Sequence, residues 1–125
     1  MQVISTSEAP RAIGPYSQAV ASDGGIFTSG QIPLAENDAS ACGSIKEQTE
    51  QVFNNLEAIR MEAGSSLAGV AAVTVFMTDL EAFADMNVVF ARRFGPHRPA
   101  RTTVQVSALP TGAGVGINAI ARRQA

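Results

Sequence analysis

Charge is what this sequence has least of. Asp, Glu, Lys and Arg make up 16% of its 125 residues and apolar residues 46%, whereas about 25% charged is usual for a soluble domain. A chain so short of groups for a solvent-facing surface is expected to hide part of that surface in an oligomer. Sulfur is nearly absent too. A single cysteine, Cys42, excludes an internal disulfide and fits a reducing compartment. Its neighbours Ala41 and Gly43 bring no cation or histidine to lower its pKa, so it makes a weak nucleophile. The single histidine, His97, has no strong soft ligand but the distant Cys42, which excludes a zinc site. With a net charge of −2, the chain lacks the basic face of a nucleic-acid binder. No apolar run approaches the ~20 residues that cross a bilayer. Met1 to Ser7 carry neither the basic cluster nor the apolar core of a signal peptide. The expectation is a cytoplasmic protein with no nucleic-acid or membrane partner. The glycine-rich run Gly112-Ala113-Gly114-Val115-Gly116 follows Pro110 and precedes a strand, so it reads as a hairpin turn and not as a phosphate loop. No cofactor is implied.

What is present reads as one domain over residues 1–125, long enough for a single core. Val3-Ile4-Ser5, Ser17 to Ala21 and Gly25 to Ser29 are strand candidates, the last two joined at Ser22-Asp23-Gly24. Pro33 to Gly43 is a polar loop. Ser44 and Glu47 have the spacing of a capping box, Ile45, Thr49, Val52, Phe53, Leu56 and Ile59 form one helical stripe, and Gly64 stops it. Val70 to Met77 is nearly all apolar, as a strand covered on both faces is. Thr78 and Glu81 suggest a second capping box before a helix with the stripe Phe83, Met86, Phe90 and Phe94, ended by Gly95-Pro96. Strands at Arg101 to Ser107 and Val115 to Ala121 close the chain. The order β-β-β-α-β-α-β-β predicts an α+β fold, one mixed sheet with both helices packed on one face, its other face in need of a partner.

Arg101 is the leading functional candidate. It opens the run Arg101-Thr102-Thr103-Val104-Gln105-Val106, whose alternation places Thr102, Val104 and Val106 on one face and Arg101, Thr103 and Gln105 on the other. Taking the apolar set as core-facing, Arg101 points away from the main core, either as a bidentate carboxylate receptor or as a structural strand-end arginine. Arg92, Arg93, His97, Arg98 and Arg101 fall within ten positions, enough to favour a small anion. Arg92 and Arg93 read more simply as cations at a helix C-terminus. The same alternation puts Val115, Ile117, Ala119 and Ala121 on the apolar face of the last strand and Asn118 on the opposite one, the side assigned to Arg101.

Three segments together resemble the RidA/YjgF family of reactive-intermediate (enamine/imine) deaminases: Ile13-Gly14-Pro15-Tyr16-Ser17-Gln18, Thr28-Ser29-Gly30-Gln31-Ile32-Pro33, and Pro99-Ala100-Arg101 through Leu109-Pro110. The resemblance covers essentially the whole chain. It implies a chorismate-mutase-like fold and a homotrimer whose sheets form a central barrel with clefts between subunits. It also implies that Arg101 binds the substrate carboxylate, that Tyr16, Ser29 and Gly30 line the cleft, and that Asn87 of the second helix lies near it. Two positions depart from the family pattern. Thr103 stands where the best-studied members have a cysteine, and its backbone N–H can still meet a carboxylate oxygen. Aligning Gly116 to Ala121 puts Asn118 where members acting on 2-aminoacrylate carry a glutamate, and an amide can orient water but cannot take its proton. Asn118 is either a site residue or an ordinary polar residue of the barrel interior.

The reaction so implied is hydrolysis of a 2-imino acid to the 2-keto acid and ammonia, with Arg101, Asn118 and Tyr16 in the catalytic set and Thr103, Ser29, Gly30 and Asn87 binding a small carboxylate substrate. The alternative is a carboxylate-binding trimer with little catalysis, a sensor or holding protein. RNA cleavage, known among relatives of this family, fits poorly with an acidic chain of one histidine.

Overall fold

The computed structural model describes residues 1–35, 37 and 43–123. Cys42 and most of the loop before Gly43 lie outside the described residues. The elements are β1 (Gln2–Ile4), β2 (Ala19–Ser22), β3 (Gly25–Thr28), α1 (Ile45–Ala63), β4 (Val70–Met77), α2 (Phe83–Phe94), β5 (Ala100–Gln105) and β6 (Val115–Arg122). They form one six-stranded sheet in the order β1-β2-β3-β6-β4-β5. β4 and β5 run parallel and the other neighbours antiparallel, so the sheet is mixed and both helices pack on one of its faces, as the element order predicts.

Local chemistry explains most element ends. Asp23 (φ 51°) and Gly24 (φ 81°) both adopt left-handed backbone between Ser22 and Gly25, which twists the two-residue turn in the sense the flanking strands require. Ser44 and Glu47 form the expected reciprocal cap. The Ser44 backbone N–H donates to Glu47 Oε1 at 3.1 Å, and Glu47 N–H donates to Ser44 Oγ at 3.2 Å. Donation to the carboxylate from the Ser44 backbone N–H, and to a lesser extent from the Ser44 side chain, holds the Glu47 carboxyl below its ordinary pKa. Gly64 closes α1 at φ 75° by donating to the carbonyls of Arg60 and Met61. The second predicted box does not form. Thr78 N–H is bound to Gly114 O at 3.2 Å and continues the sheet, so the first residue free to cap is Asp79. Its Oδ1 accepts from Glu81 N–H at 2.9 Å over a single 3-10 turn, Leu80–Ala82, and α2 begins only at Phe83.

The core lies between sheet and helices. Val73, Val75 and Met77 of β4 and Val115, Ile117, Ala119 and Ala121 of β6 are buried against Val52, Phe53 and Ile59 of α1 and Met86, Val89, Phe90 and Phe94 of α2. Phe53 meets Phe90 and Phe94 edge-on, with ring centres 5.7 and 5.5 Å apart. Beside the rings, Arg93 of α2 reaches Glu50 at 2.8 Å and Glu57 at 3.0 Å on α1, and Arg92 also pairs with Glu50. These two arginines tie the helices together; they are not merely solvated cations at a helix end.

The other sheet face is open. In register across five strands, Val3, Val20, Phe27, Ile120 and Ala72 form one apolar row, with Val3 65%, Phe27 43% and Ile120 46% exposed. β4, expected to be covered on both sides, is buried on the helix side alone.

One buried polar residue of α1 governs a neighbouring loop. Asn55, 1% exposed, donates from Nδ2 to Ile32 O at 3.1 Å and Leu34 O at 2.8 Å and accepts from Gln51 Nε2 at 2.9 Å. Replacing Asn55 with alanine leaves those carbonyls unpaired and is expected to destabilise the fold by about 2 kcal/mol, read as a lower urea midpoint with an unchanged m-value. Ser44→Ala is expected to raise the Glu47 carboxyl only part of the way toward the ordinary glutamate range in an NMR pH titration, because the backbone N–H of residue 44, the larger cause of the lowering, is kept. Because Glu47 is held low, the cap contributes above the ordinary pKa and fades as pH falls through the depressed one.

Candidate functional site

The site begins at the sheet edge. β5 has β4 as its one neighbour, with Val73 opposite Arg101, Val75 opposite Thr103 and Met77 opposite Gln105. Residues in register project to the same side. Arg101 and Thr103 therefore lie on the helix face with Val73 and Val75, and Thr102 and Val104 lie on the open face. This inverts the expectation. The apolar set of β5 faces the uncovered side of the sheet, and the polar set meets α2.

Arg101 does so through three side chains on one stripe of that helix. Its guanidinium lies over the Phe90 ring at 4.7 Å and the Phe83 ring at 5.3 Å, and its Nη1 donates to Asn87 Oδ1 at 2.6 Å. Phe83, Asn87 and Phe90 are spaced four and three residues apart, so they share a helical face. A cation over two ring faces is held electrostatically as well as by packing. Burial lowers the Arg101 pKa, but an arginine so placed stays charged at neutral pH. Arg60, Arg92 and Arg93 are each paired with a glutamate; among the described residues none pairs with Arg101. One of its five N–H groups is engaged by Asn87, and Arg101 lines a concavity of about 270 Å³ together with Asn87, Phe90, Ala91 and Pro99.

Backbone donors extend this receptor. Val106 N–H donates to Met77 O at 2.8 Å, and alternation along the strand turns the N–H groups of Thr103 and Gln105 toward the open sheet edge. The Thr103 Oγ1 is buried without a hydrogen-bond partner. A guanidinium fork and an edge N–H two residues apart suit a planar carboxylate.

Tyr16 and Gly30 lie elsewhere, in a second cleft of about 430 Å³ with Pro10, Ile32 and Pro110 among its walls. Tyr16 is 53% exposed. Gly14 lets its ring fold back, since a Cβ there would stand 3.2 Å from the ring. The Ser29 hydroxyl donates to Ser17 O at 2.5 Å and so joins the two segments behind this cleft. Gln18, buried, braces the loop in front by donating to Thr6 O at 3.1 Å and Pro10 O at 2.8 Å. Among the described residues none lines both concavities.

Asn118 is not beside Arg101. It stands opposite Thr74 in register, on the open face, and its Oδ1 accepts from Thr74 N–H at 3.3 Å. The alternation of β6 holds, with Val115, Ile117 and Ala119 buried toward the helices; the face of β5 is what reverses, which separates the two residues. The sequence reading also passes over Phe83 and Phe90 as ring partners, treating them as core alone. The signal was available: Asn87 is a polar residue within an otherwise apolar stripe, and it implies a polar group opposite. His97 Nε2 bonds Val70 O at 2.6 Å, and among the described residues no cluster of His, Cys, Asp or Glu could hold a metal ion.

Asn87→Ala removes the tether on Arg101. Affinity for pyruvate is expected to fall about three- to tenfold, the worth of roughly 1 kcal/mol, by NMR titration, with helix content unchanged.

Comparison with known proteins agrees with this fold. Residues 6–123 match the family described as Endoribonuclease L-PSP. A RutC family protein of Pyrococcus abyssi is 47% identical over 98% of both chains, and the chloroplastic Reactive Intermediate Deaminase A of Arabidopsis thaliana is 39% identical over 96% of this chain and 65% of its own. The crystal structure of Escherichia coli TdcF with bound serine superposes with a TM-score of 0.94 at 38% identity, covering 99% of this chain and 100% of that one. With the motifs, the helix-covered mixed sheet and these matches in agreement along its whole length, the chain belongs to the Endoribonuclease L-PSP family, that of the RidA, YjgF and RutC proteins.

Proposed function

We propose that this protein hydrolyses reactive 2-imino acids, and the enamines that tautomerise to them, to 2-keto acids and ammonia. The observation that carries the reading is the half-buried Arg101, without an ion pair among the described residues and fixed by Asn87 and two phenyl rings. A charge held out of water without a counter-ion is costly unless a ligand supplies one. The substrate's carboxylate does so. Water adds to the C=N carbon, the nitrogen takes a proton, and the tetrahedral adduct collapses to the C=O with loss of ammonia. The protonated imine is already electrophilic, so positioning is the main task.

The site is completed by a second copy. Arg101 and Tyr16 line separate concavities of one chain, and the open apolar row on the sheet gives three such chains a common face to bury. In that trimer the Thr103 edge N–H meets the substrate carboxylate beside Arg101, and the Tyr16 hydroxyl places the water. Asn118 lies on the other side of the sheet from Arg101 in one chain, so, like Tyr16, it could join the set only from a second copy. The deaminase name of the Arabidopsis relative and the serine bound to TdcF, itself a small carboxylate, favour the same class of ligand.

A second reading, a carboxylate-binding trimer with little catalysis, is favoured by one observation: among the described residues, no acidic or histidine side chain lines either concavity. One experiment separates the two. With imines generated in situ by an amino-acid oxidase, the protein is expected to speed keto-acid formation above the spontaneous rate, and Arg101→Ala to lower that gain about a hundredfold, as loss of a bidentate charged contact should. Binding of pyruvate without any rate gain establishes the second reading. Sedimentation equilibrium is expected to give three times the chain mass, and a stable monomer at micromolar concentration rejects the shared site.

A further inference from the structure

Arg98 lines the same concavity as Arg101, and the proposed hydrolysis gives it no role. It is exposed and follows the end of α2, where Gly95 turns the chain at φ 65°. A single nitrogen, Nη1, donates to the carbonyls of Gly95 and His97, the latter at 3.0 Å. Those two bonds orient the guanidinium and leave its Nη2 and Nε donors free. Pro99 then restricts the backbone between Arg98 and β5. Like Arg101, Arg98 makes no ion pair among the described residues, whereas the arginines of the helices are paired with glutamates. The remaining lining, Asn87, Phe90, Ala91 and Pro99, contributes no acid.

Two guanidinium groups on one concavity with no counter-charge repel each other, and they favour a ligand with two anionic groups over one with a single carboxylate. A volume of about 270 Å³ is ample for a five-carbon diacid. We infer that Arg98 is a specificity residue that selects substrates carrying a second carboxylate: 2-imino dicarboxylic acids, their α-carboxylate on Arg101 and their distal carboxylate on Arg98. The inference rests on the proposed deaminase site for its reaction and on Arg98 itself for its selectivity. Arg98 touches the distal end of the ligand and takes no part at the C=N carbon.

Binding tests the selectivity without catalysis. Calorimetric titration of the whole protein with 2-oxoglutarate and with 2-oxobutanoate is expected to show the diacid bound at least tenfold more tightly, a difference of about 1.4 kcal/mol, narrowing as salt is raised. Arg98→Ala is expected to bring the two affinities together, and Arg98→Lys to keep part of the gap, since the charge remains and the fork is lost. Equal affinities in the wild type, or a gap that survives Arg98→Ala, overturns the inference. The same ratio is then read in rates, using imines generated from glutamate and from alanine. A diacid preference in binding with no rate gain on either imine leaves the selectivity standing and removes the deaminase reading; hydrolysis of both imines at equal efficiency does the reverse.

Discussion

A strand offers a side chain two directions, and in this protein the register of β4 against β5 decides which residues can form a site. Val73 opposite Arg101 and Val75 opposite Thr103 commit both polar side chains to the face that the helices cover. Had the pairing slipped by one residue, Thr102 and Val104 would meet α2 and the guanidinium would stand on the open face. The parallel crossover through α2 strengthens the commitment, because the helix joining β4 to β5 must return over the same face. The rings of Phe83 and Phe90 and the amide of Asn87 then meet Arg101 where the strand leaves it. The site is thus a consequence of how an edge strand is paired.

The electrostatics follow the same division. Few charges are present, and the arginines of the helix layer are matched: Arg60 with Glu57 at 3.1 Å, Arg93 with Glu50 and Glu57, Arg92 with Glu50. Among the described residues, Arg98 after α2 and Arg101 on β5 have no such partners. Pairing in the helix layer holds two helices against each other; the absence of pairing at the sheet edge leaves a positive field over a small volume, in a chain whose net charge is negative. Surface ion pairs contribute little each, so the matched set is of less account for stability than the aromatic contacts of Phe53 beside it.

Much of this is legible in the sequence wherever a local rule is strong. The Ser44–Glu47 box, the Gly64 stop, the bounds of β4 and the packing of both helices on one face follow from spacing alone. The rules fail where tertiary contacts overrule them. Thr78 has the right spacing to cap α2 but is held by the sheet at Gly114. The apolar set of β5 is taken as core-facing because the alternation cannot say which of two apolar surfaces it serves, and a sheet with an open face has two. Asn118 is misplaced by the same ambiguity, although the parity of its own strand is right. Tyr16 and Arg101 are named by their motifs, while their placement in different concavities depends on distances no motif encodes.

The sheet order carries a consequence for how the chain acquires its structure. β6, last of the strands in sequence, sits between β3 and β4, which have no ladder with each other. Before it is in place there are two fragments, a β1-β2-β3 meander and a β4-α2-β5 unit, each with an unpaired edge. Synthesis therefore has to reach the segment around residue 122 before the halves can be joined, and a nascent chain emerges with its two most adhesive edges exposed. Ladders spanning so much of the chain slow the final step, so on the ribosome the period of greatest exposure to aggregation comes just before the last strand arrives.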